Sequence, residues 1–279
     1  MFVSCNNLII KFILNNRIIN KYIIFLIYIL LKSLSFKELN INYKFKSVNF
    51  NIKYPISLIN LLFISNSYKN SATSLFVHLF LDSSSYFIDV GANEGNITAF
   101  AEEKITRGKI FAFEPDIINF KKLSERFKEN KNLYAYNVAL SDNENNYLLK
   151  KSNIFKLRTG IKVEKVAKSN NITYKLDSFE KEFQKVDLIK IDTEGHDYNV
   201  INGSLNLLSN KKPVLIVEIN DNDKFDKILS ILSDDYKHYY KINNKDLIKT
   251  NKVFYKINKN QRVLGDIIIS QYEINDFFL

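Results

Sequence analysis

The stretch Phe-Ile-Asp-Val-Gly-Ala-Asn-Glu-Gly at residues 87–95 decides the fold, because it joins a buried strand to a tight turn. The apolar residues before the first glycine form a short run of the kind that lies inside a sheet. Gly91 and Gly95 flank the turn, and glycine lets a ligand approach bare backbone. Residues 96–101 then open a helix whose first amides point back toward the turn. The stretch therefore predicts a strand, a turn and a helix that together hold a polar ligand.

From residue 86 onward, strand-like and helix-like segments alternate, which is typical of a mostly parallel sheet with helices on both faces. The predicted strands lie near 86–90, 109–114, 133–138, 186–192, 213–219, 236–241 and 264–270. The predicted helices lie near 70–81, 96–105, 116–129, 197–209 and 223–234. Ligands of such sheets bind at the carboxyl ends of the strands, so residues there are the candidates for function.

Residues 1–69 are predicted to form an N-terminal apolar helix and an accessory hairpin, and residues 70–279 the main domain. Residues 8–31 are apolar but contain basic side chains, and their clean apolar run, 22–31, is shorter than the about 20 residues that span a bilayer. We expect a helix packed on the domain, with membrane-surface contact through residues 8–31 as the alternative. Residues 43–56 alternate apolar and polar side chains, which predicts the hairpin.

The composition is that of one packed domain, with 279 residues, 46% hydrophobic and 25% charged. The net charge of +10 permits an acidic partner, but the lysines are scattered, and a chain rich in Asn, Lys, Ile, Tyr and Phe is what AT-rich codons produce. A single cysteine, Cys5, excludes an internal disulfide and a multi-cysteine zinc site. We expect a cytoplasmic protein, with membrane association as the alternative.

Two acidic residues at strand ends suit an adenosine ligand. Glu114 stands about twenty residues past Gly95, the offset at which an acidic side chain accepts hydrogen bonds from ribose hydroxyls. The structural alternative is that Glu114 caps the helix that starts after Pro115. Asp142 follows the third predicted strand and could accept from an adenine amino group, although Asp is equally suited to a turn.

The segment Leu-Ile-Lys-Ile-Asp-Thr-Glu-Gly-His-Asp at 188–197 places several ionisable groups at one strand end, where burial and like charges can tune a general base. Asp192 ranks first as the base because it ends the buried strand. His196 follows, since an ordinary pKa of about 6.5 suits proton acceptance near neutrality, and Glu194 is the third candidate. A metal bound by these three residues is the less favoured alternative, because Gly195 turns the chain, and we predict no metal site.

Several motifs follow one another in a fixed order along the chain. They are Phe-Ile-Asp-Val-Gly-Ala-Asn-Glu-Gly-Asn (87–96), Phe-Glu-Pro (113–115), Val-Ala-Leu-Ser-Asp (138–142), Leu-Asp-Ser-Phe (176–179), Asp-Leu-Ile-Lys-Ile-Asp-Thr-Glu-Gly-His-Asp (187–197), Asn-Gly-Ser (202–204) and Ile-Val-Glu-Ile (216–219). Over roughly residues 70–270 this set resembles the FkbM family of S-adenosylmethionine-dependent methyltransferases. The resemblance implies a class I Rossmann-like α/β fold, a doubly wound and mostly parallel sheet with an antiparallel strand near the C-terminus.

The resemblance also implies S-adenosylmethionine as the cofactor. The residues implied to hold its methionine part, with Asp89 behind them, are Gly91, Ala92, Asn93 and Gly95. Glu114 would bind the ribose and Asp142 the adenine amine. Asn93 stands at the middle glycine of the general methyltransferase turn Asp-x-Gly-x-Gly-x-Gly, and the turn is kept because Asn tolerates left-handed geometry.

Members of the family are similar in methylating hydroxyl groups, often on sugars or small natural products, so the predicted activity is O-methylation of a small-molecule or glycan acceptor. The alternatives are a non-catalytic module for donor binding or membrane docking, and a nucleic-acid methyltransferase. Amine methylation of bases commonly uses an Asn/Asp-Pro-Pro-aromatic motif, whereas this chain has Asp-Thr-Glu-Gly at 192–195, so no nucleic-acid partner is expected. A dehydrogenase would need Gly-x-Gly-x-x-Gly, whereas residues 91–95 give Gly-x-x-x-Gly.

Overall fold

A computed structural model of the chain describes residues 2–4, 21–33, 38–45, 48–55, 67–151, 161–165, 172–220, 222–232, 234–243, 253–259, 261 and 264–275. The strands are β1 (Phe2–Ser4), β2 (Glu38–Phe45), β3 (Val48–Pro55), β4 (Tyr86–Val90), β5 (Lys109–Phe113), β6 (Leu133–Tyr136), β7 (Ala139–Leu140), β8 (Tyr147–Lys151), β9 (Ile161–Lys165), β10 (Thr173–Tyr174), β11 (Leu188–Ile191), β12 (Val214–Ile219), β13 (His238–Ile242), β14 (Phe254–Ile257) and β15 (Gly265–Ser270). The helices are α1 (Lys21–Ser33), α2 (Ser67–Phe80), α3 (Thr98–Glu102), α4 (Ile117–Arg126), α5 (Asp197–Asn202), α6 (Leu205–Lys211) and α7 (Asn222–Ile231), with a 3-10 helix at Leu176–Glu182.

The central sheet orders its described strands as β14-β13-β15-β12-β11-β4-β5-β6. The pairs from β12 through β11, β4 and β5 to β6 are parallel, and β15 lies antiparallel to both β12 and β13. The predicted fold, a mostly parallel α/β sheet with an antiparallel strand near the C-terminus, is therefore confirmed. The edge strand β14 was not predicted, because its four residues are too few to show a period in the sequence.

Two predicted elements are divided in the structure. The strand expected at 133–138 ends at Tyr136, and β7 pairs instead with β10 in a separate two-stranded sheet. The helix expected at 197–209 is interrupted between α5 and α6, at Gly203. A Cβ at Gly203 would overlap the backbone carbonyl oxygen of Ser141, so the break lets two backbone segments meet closely beside the strand ends.

Two apolar clusters cover the two faces of the central sheet, because successive side chains of a strand point to opposite faces. In β4, Phe87 joins one cluster and Ile88 joins the other. Neighbouring strands repeat this division, with Leu188 in the first cluster and Ile189 in the second. The sheet is thus buried on both faces, which leaves the strand ends as the places where polar side chains collect.

The N-terminal helix and hairpin share the first of these clusters with the main domain. Ile27 and Leu31 of α1 are buried in it, together with Ile41 and Ile52 of the hairpin. This agrees with the predicted helix packed on the domain, while residues 8–20 lie outside the described residues. The division of the chain at residues 69 and 70 stays a prediction. None of the described helices has the length and apolar character needed to cross a membrane.

Candidate active site

The turn that follows β4, residues 91–95 and here called the β4 turn, has a left-handed backbone at three positions. The φ angles are 77° at Gly91, 54° at Asn93 and 77° at Gly95. Asn93 therefore adopts the left-handed conformation that the sequence predicted for it, which Asn tolerates better than most residues.

The backbone amides of the β4 turn donate to acceptors within the protein. The hydrogen bonds run from Gly91 N and Ala92 N to Phe113 O (3.0 and 3.1 Å), from Asn93 N to Glu114 Oε2 (2.8 Å), from Glu94 N to Asn93 Oδ1 (2.8 Å) and from Gly95 N to Ala92 O (2.9 Å). The turn is therefore held in shape before any ligand binds. Because these five amides are engaged within the protein, recognition by the β4 turn falls to carbonyl oxygens and side chains. The amides expected to point at a ligand are the first ones of the helix after the turn, and their role stays a prediction.

Both flanking glycines are required by packing. A Cβ at Gly91 would overlap the backbone carbonyl oxygen of Asp192, and a Cβ at Gly95 would collide with the rings and methyl groups of Phe127 and Leu123. From the sequence, these glycines are expected to allow the approach of a ligand, whereas in the structure neighbouring protein requires them. As a result, the β4 turn lies directly against the end of β11.

Asp89 lies beneath the β4 turn and is fully buried. Its Oδ2 accepts a hydrogen bond of 2.7 Å from the Thr98 hydroxyl, and its Oδ1 faces the Lys190 ammonium at 3.6 Å. Burial raises the pKa of the Asp89 carboxyl, and the opposing cation and hydroxyl favour its charged form.

Glu114 lies at the end of β5, next to the β4 turn, and is only 4% exposed. One oxygen accepts from the Asn93 amide at 2.8 Å and the other from the Asp116 amide at 2.9 Å. Burial raises the pKa of the Glu114 carboxyl to about 7. The capping role that was the alternative for Glu114 belongs to Asp116, whose side chain accepts from the amides of Ile118 and Asn119 at the start of α4.

Ser141 joins Asp142 to His196. The Ser141 hydroxyl donates to Asp142 Oδ1 at 3.1 Å and lies 2.9 Å from His196 Nε2. Asp142 Oδ2 also accepts from the side-chain amides of Asn199 (3.2 Å) and Asn202 (3.4 Å). Burial lowers the pKa of His196, which keeps its ring neutral near pH 7. Sequence reasoning did not select Ser141, because a serine next to a turn-forming Asp has no distinctive pattern.

The three candidate bases differ in their surroundings. The Asp192 side chain is 40% exposed, and one of its oxygens lies 3.2 Å from the Lys190 ammonium. Glu194 is exposed and has a left-handed backbone, with φ at 53°. Asp197 is buried and accepts from the amide and hydroxyl of Thr193 at 2.9 and 2.8 Å, so it holds the loop that carries these candidates.

Further charged side chains lie around Asp192. Lys190 is buried in β11, and Glu218 is half-buried near the end of β12. Burial raises the pKa of Glu218 to about 7, and the carboxylates of Asp192 and Asp266 add to the rise. Among the residues that the structure describes, no group of three or more His, Cys, Asp or Glu side chains is arranged to hold a metal ion.

A family model described as "Methyltransferase FkbM domain" matches residues 89–242, which is more than half of the chain. The chain belongs to the FkbM methyltransferase family. The match spans the β4 turn, Glu114, Asp142 and the segment from Asp192 to His196. The cofactor of this FkbM methyltransferase is S-adenosylmethionine.

Solved structures similar to this FkbM methyltransferase include a methyltransferase FkbM from Methylobacillus flagellatus KT, with 18% identity, a TM-score of 0.43 and coverage of 76% of this chain and 53% of that chain. A precorrin-6y C5,15-methyltransferase from Geobacter metallireducens GS-15 has 14% identity and a TM-score of 0.41, with 71% and 86% covered. A fibrillarin pre-rRNA processing protein from Methanococcus jannaschii has 11% identity and a TM-score of 0.43, with 85% and 91% covered. The chain spans about half the length of the first of these proteins. No curated protein sequence matches it significantly.

Proposed function

We propose that this FkbM methyltransferase methylates a hydroxyl oxygen of a small molecule or a glycan. When bound, the sulfonium cofactor supplies an electrophilic methyl group and keeps the electron pair of the carbon–sulfur bond that breaks. The protein must align the acceptor oxygen with that methyl group and take up the hydroxyl proton as the new oxygen–carbon bond forms. Asp192 is the proposed proton acceptor.

The position of Asp192 carries this proposal. Its backbone amide donates to the Val90 carbonyl oxygen at 3.1 Å, so the residue lies immediately beside the β4 turn. Its side chain is 40% exposed, which leaves the carboxylate accessible to an acceptor from outside. A carboxylate that is both fixed next to the turn and open to solvent suits the removal of a hydroxyl proton.

The residues proposed to hold the cofactor are those that the family resemblance implies. They are Asp89, Gly91, Ala92, Asn93, Gly95, Glu114 and Asp142. Each Glu114 oxygen accepts one backbone hydrogen bond and the Asn119 side chain also hydrogen-bonds the carboxylate, so one of its about four lone pairs remains for a ribose hydroxyl. The Asp142 carboxylate is held by three side-chain donors, and Oδ1 retains a lone pair for the adenine amino group.

His196 and Glu194 are the second and third proposed proton acceptors. His196 is neutral near pH 7 because burial lowers its pKa, and a neutral imidazole can accept a proton. Its hydrogen bond to Ser141 connects it to the adenine side of the proposed site, however, whereas Asp192 adjoins the turn. Glu194 is exposed, and an exposed carboxylate is a weaker base than a partly desolvated one.

The test is a mass-spectrometric screen for donor-dependent gain of one methyl group, with hydroxylated small molecules, free glycans, lipid-linked sugars and RNA oligomers as acceptors. We expect methylation of oxygen on a sugar or small molecule, and a loss of about 100-fold or more in kcat for Asp192→Asn. The matched control is Asp235→Asn, because Asp235 is an exposed carboxylate paired with Lys212 at 3.9 Å. Methylation of RNA alone would contradict the proposed acceptor class, and full turnover in Asp192→Asn would contradict the assigned base.

A further inference from the structure

We propose that Lys190 is a positioning residue that fixes the Asp192 carboxylate for proton transfer and connects it to Asp89 beneath the β4 turn. The inference rests on the proposed function, because it assigns the means by which the proton acceptor is held. Lys190 lies inside β11 and therefore acts through Asp192 rather than on the acceptor itself.

The geometry of the sheet brings these three residues together. Lys190 and Asp192 are two positions apart, so their side chains lie on the same side of the chain. Lys190 is also the register partner of Asp89 on the adjacent parallel strand β4. The Lys190 ammonium consequently lies 3.2 Å from Asp192 Oδ2 and 3.6 Å from Asp89 Oδ1.

Lys190 is only 6% exposed, and its neighbours in β11, Ile189 and Ile191, are fully buried. Burial alone would lower the pKa of Lys190, but the carboxylates of Asp192, Asp89 and Asp266 raise it above its usual range, so the side chain stays cationic. A buried ion group seldom stabilises a fold more than an apolar side chain of similar volume would. The burial of the Lys190 and Asp89 charges therefore indicates a role besides stability.

Other charged groups face this cation from the neighbouring strands. Asp266 at the start of β15 accepts a hydrogen bond from the Thr73 hydroxyl of α2, and Glu218 is its register partner on β12. Lys241 of β13 is a second cation that favours the charged form of Asp266. Carboxylates thus surround Lys190. Removal of the Lys190 ammonium would affect Asp192 more than Asp89, because Asp192 is the nearer of the two carboxylates.

The contact of Lys190 with Asp89 relates the proton acceptor to the donor side of the proposed site. Asp89 Oδ2 accepts a hydrogen bond from the hydroxyl of Thr98, the first residue of α3, which follows the β4 turn. Lys190 therefore connects the donor side of the proposed site to its proton acceptor through two charge contacts. A fixed ammonium also restricts the rotamers of the half-exposed Asp192 side chain, which would otherwise be free to turn away from the acceptor.

The test is a double-mutant cycle in the full chain with Lys190→Met and Asp192→Asn. We expect Lys190→Met to lower kcat by about tenfold or more while KM for the acceptor changes by less than about threefold, because proton transfer and not acceptor binding is impaired. In the Asp192→Asn background, Lys190→Met should cause no further loss of kcat. Lys190→Arg, which keeps the cation, should recover part of the lost turnover.

Lys190→Met leaves Asp89 without its cation and could fail to fold, so the cycle is repeated in an Asp89→Asn background at saturating donor, where Lys190→Met no longer leaves a buried carboxylate unpaired. Wild-type kcat in folded Lys190→Met, or losses from Lys190→Met and Asp192→Asn that multiply, would overturn the positioning role alone. Absence of any methyl transfer by the wild-type protein would instead overturn the proposed function, and the positioning role with it.

Discussion

Arg126 joins the N-terminal hairpin to the β4 turn by donating a hydrogen bond of 2.6 Å to the backbone carbonyl oxygen of Lys53. The second terminal nitrogen, Nη1, donates to the Glu94 carbonyl oxygen at 3.2 Å and to Asn96 Oδ1 at 3.0 Å. One side chain of α4 thus contacts both the accessory hairpin and the proposed donor site, and it gives the N-terminal extension a structural part in shaping that site.

Arg126→Leu should lower the free energy of unfolding by about 1–3 kcal/mol, because the hydrogen bonds from a charged donor to oxygens of Lys53, Glu94 and Asn96 are lost. It should also weaken S-adenosylmethionine binding by roughly three- to tenfold, since the β4 turn loses the hydrogen bond that Arg126 donates to Glu94. Urea denaturation and isothermal titration calorimetry measure the two effects. Arg107→Leu is the matched control, because exposed Arg107 contacts Ser83, away from the turn. Equal donor affinity in Arg126→Leu and the wild type would contradict the coupling.

The raised pKa of Glu114, about 7 against an ordinary 4.5, predicts a pH dependence of stability. Between these two values the folded chain holds a proton that the unfolded chain has released, so stability falls as pH rises through this window, by up to about 3 kcal/mol. Glu114→Gln should flatten this fall, as measured by urea denaturation at pH 5 and pH 8. Glu125→Gln, at an exposed carboxylate, should leave the fall unchanged. An identical fall in the wild type and Glu114→Gln would show that Glu114 keeps an ordinary pKa.

The contacts of Ser141 predict the tautomer of His196. A serine hydroxyl carries one proton, and that of Ser141 is donated to Asp142 Oδ1, so His196 Nε2 must donate to Ser141 Oγ and the neutral ring carries its proton on Nε2. Nitrogen-15 chemical shifts of the ring at pH 7.5, above the lowered pKa of His196, measure this. The preference should weaken in Ser141→Ala, and a ring protonated on Nδ1 in the wild type would contradict the assignment.

Gly91 and Gly195 should respond differently to substitution by alanine, although both have positive φ angles, 77° and 105°. A Cβ at Gly91 would overlap the Asp192 carbonyl oxygen, whereas at Gly195 the nearest atom is the flexible end of Lys224 at 3.3 Å. Gly91→Ala should therefore cost several kcal/mol, more than the roughly 1–3 kcal/mol of backbone strain expected for Gly195→Ala. Chemical denaturation of both variants compares them, and equal costs would show that the contact with β11 is not tight.

Contact of α1 with a membrane surface stays a prediction, and the structure gives it a defined face. Leu26, Ile29 and Leu30 are exposed on α1, beside the exposed Lys32. Replacement of the three apolar residues by serine should reduce co-sedimentation with anionic liposomes by about tenfold, since each exposed apolar side chain contributes to interfacial binding. Ile27 and Leu31 hold the helix on the core, so these substitutions should leave the fold intact. Equal sedimentation of the variant and the wild type would exclude this face as the contact.

The sequence was sufficient for features that depend on local pattern. The apolar run of β4, the left-handed Asn93 and the alternation of strands and helices all follow from side-chain periodicity and turn chemistry within a few residues. Glu114 and Asp192 could be selected as candidates because parallel strands bring their carboxyl ends to one edge of a sheet. Their roles toward donor and acceptor stay predictions, since a role depends on the ligand as well as on position.

Tertiary structure alone decided the contacts that depend on strand register and on close approach of distant segments. The pairing of Lys190 with Asp89 requires the register of β11 against β4, and a shift by one residue would place the lysine on the other face. The contact between Ser141 and His196 depends on how two loops pack against each other, which no local sequence pattern predicts. The sequence by itself determined most elements of the main domain, the turn and the resemblance to the family. Packing decided why Gly91 must be glycine and how Asp192 lies beside the β4 turn, because these contacts join residues far apart in the chain.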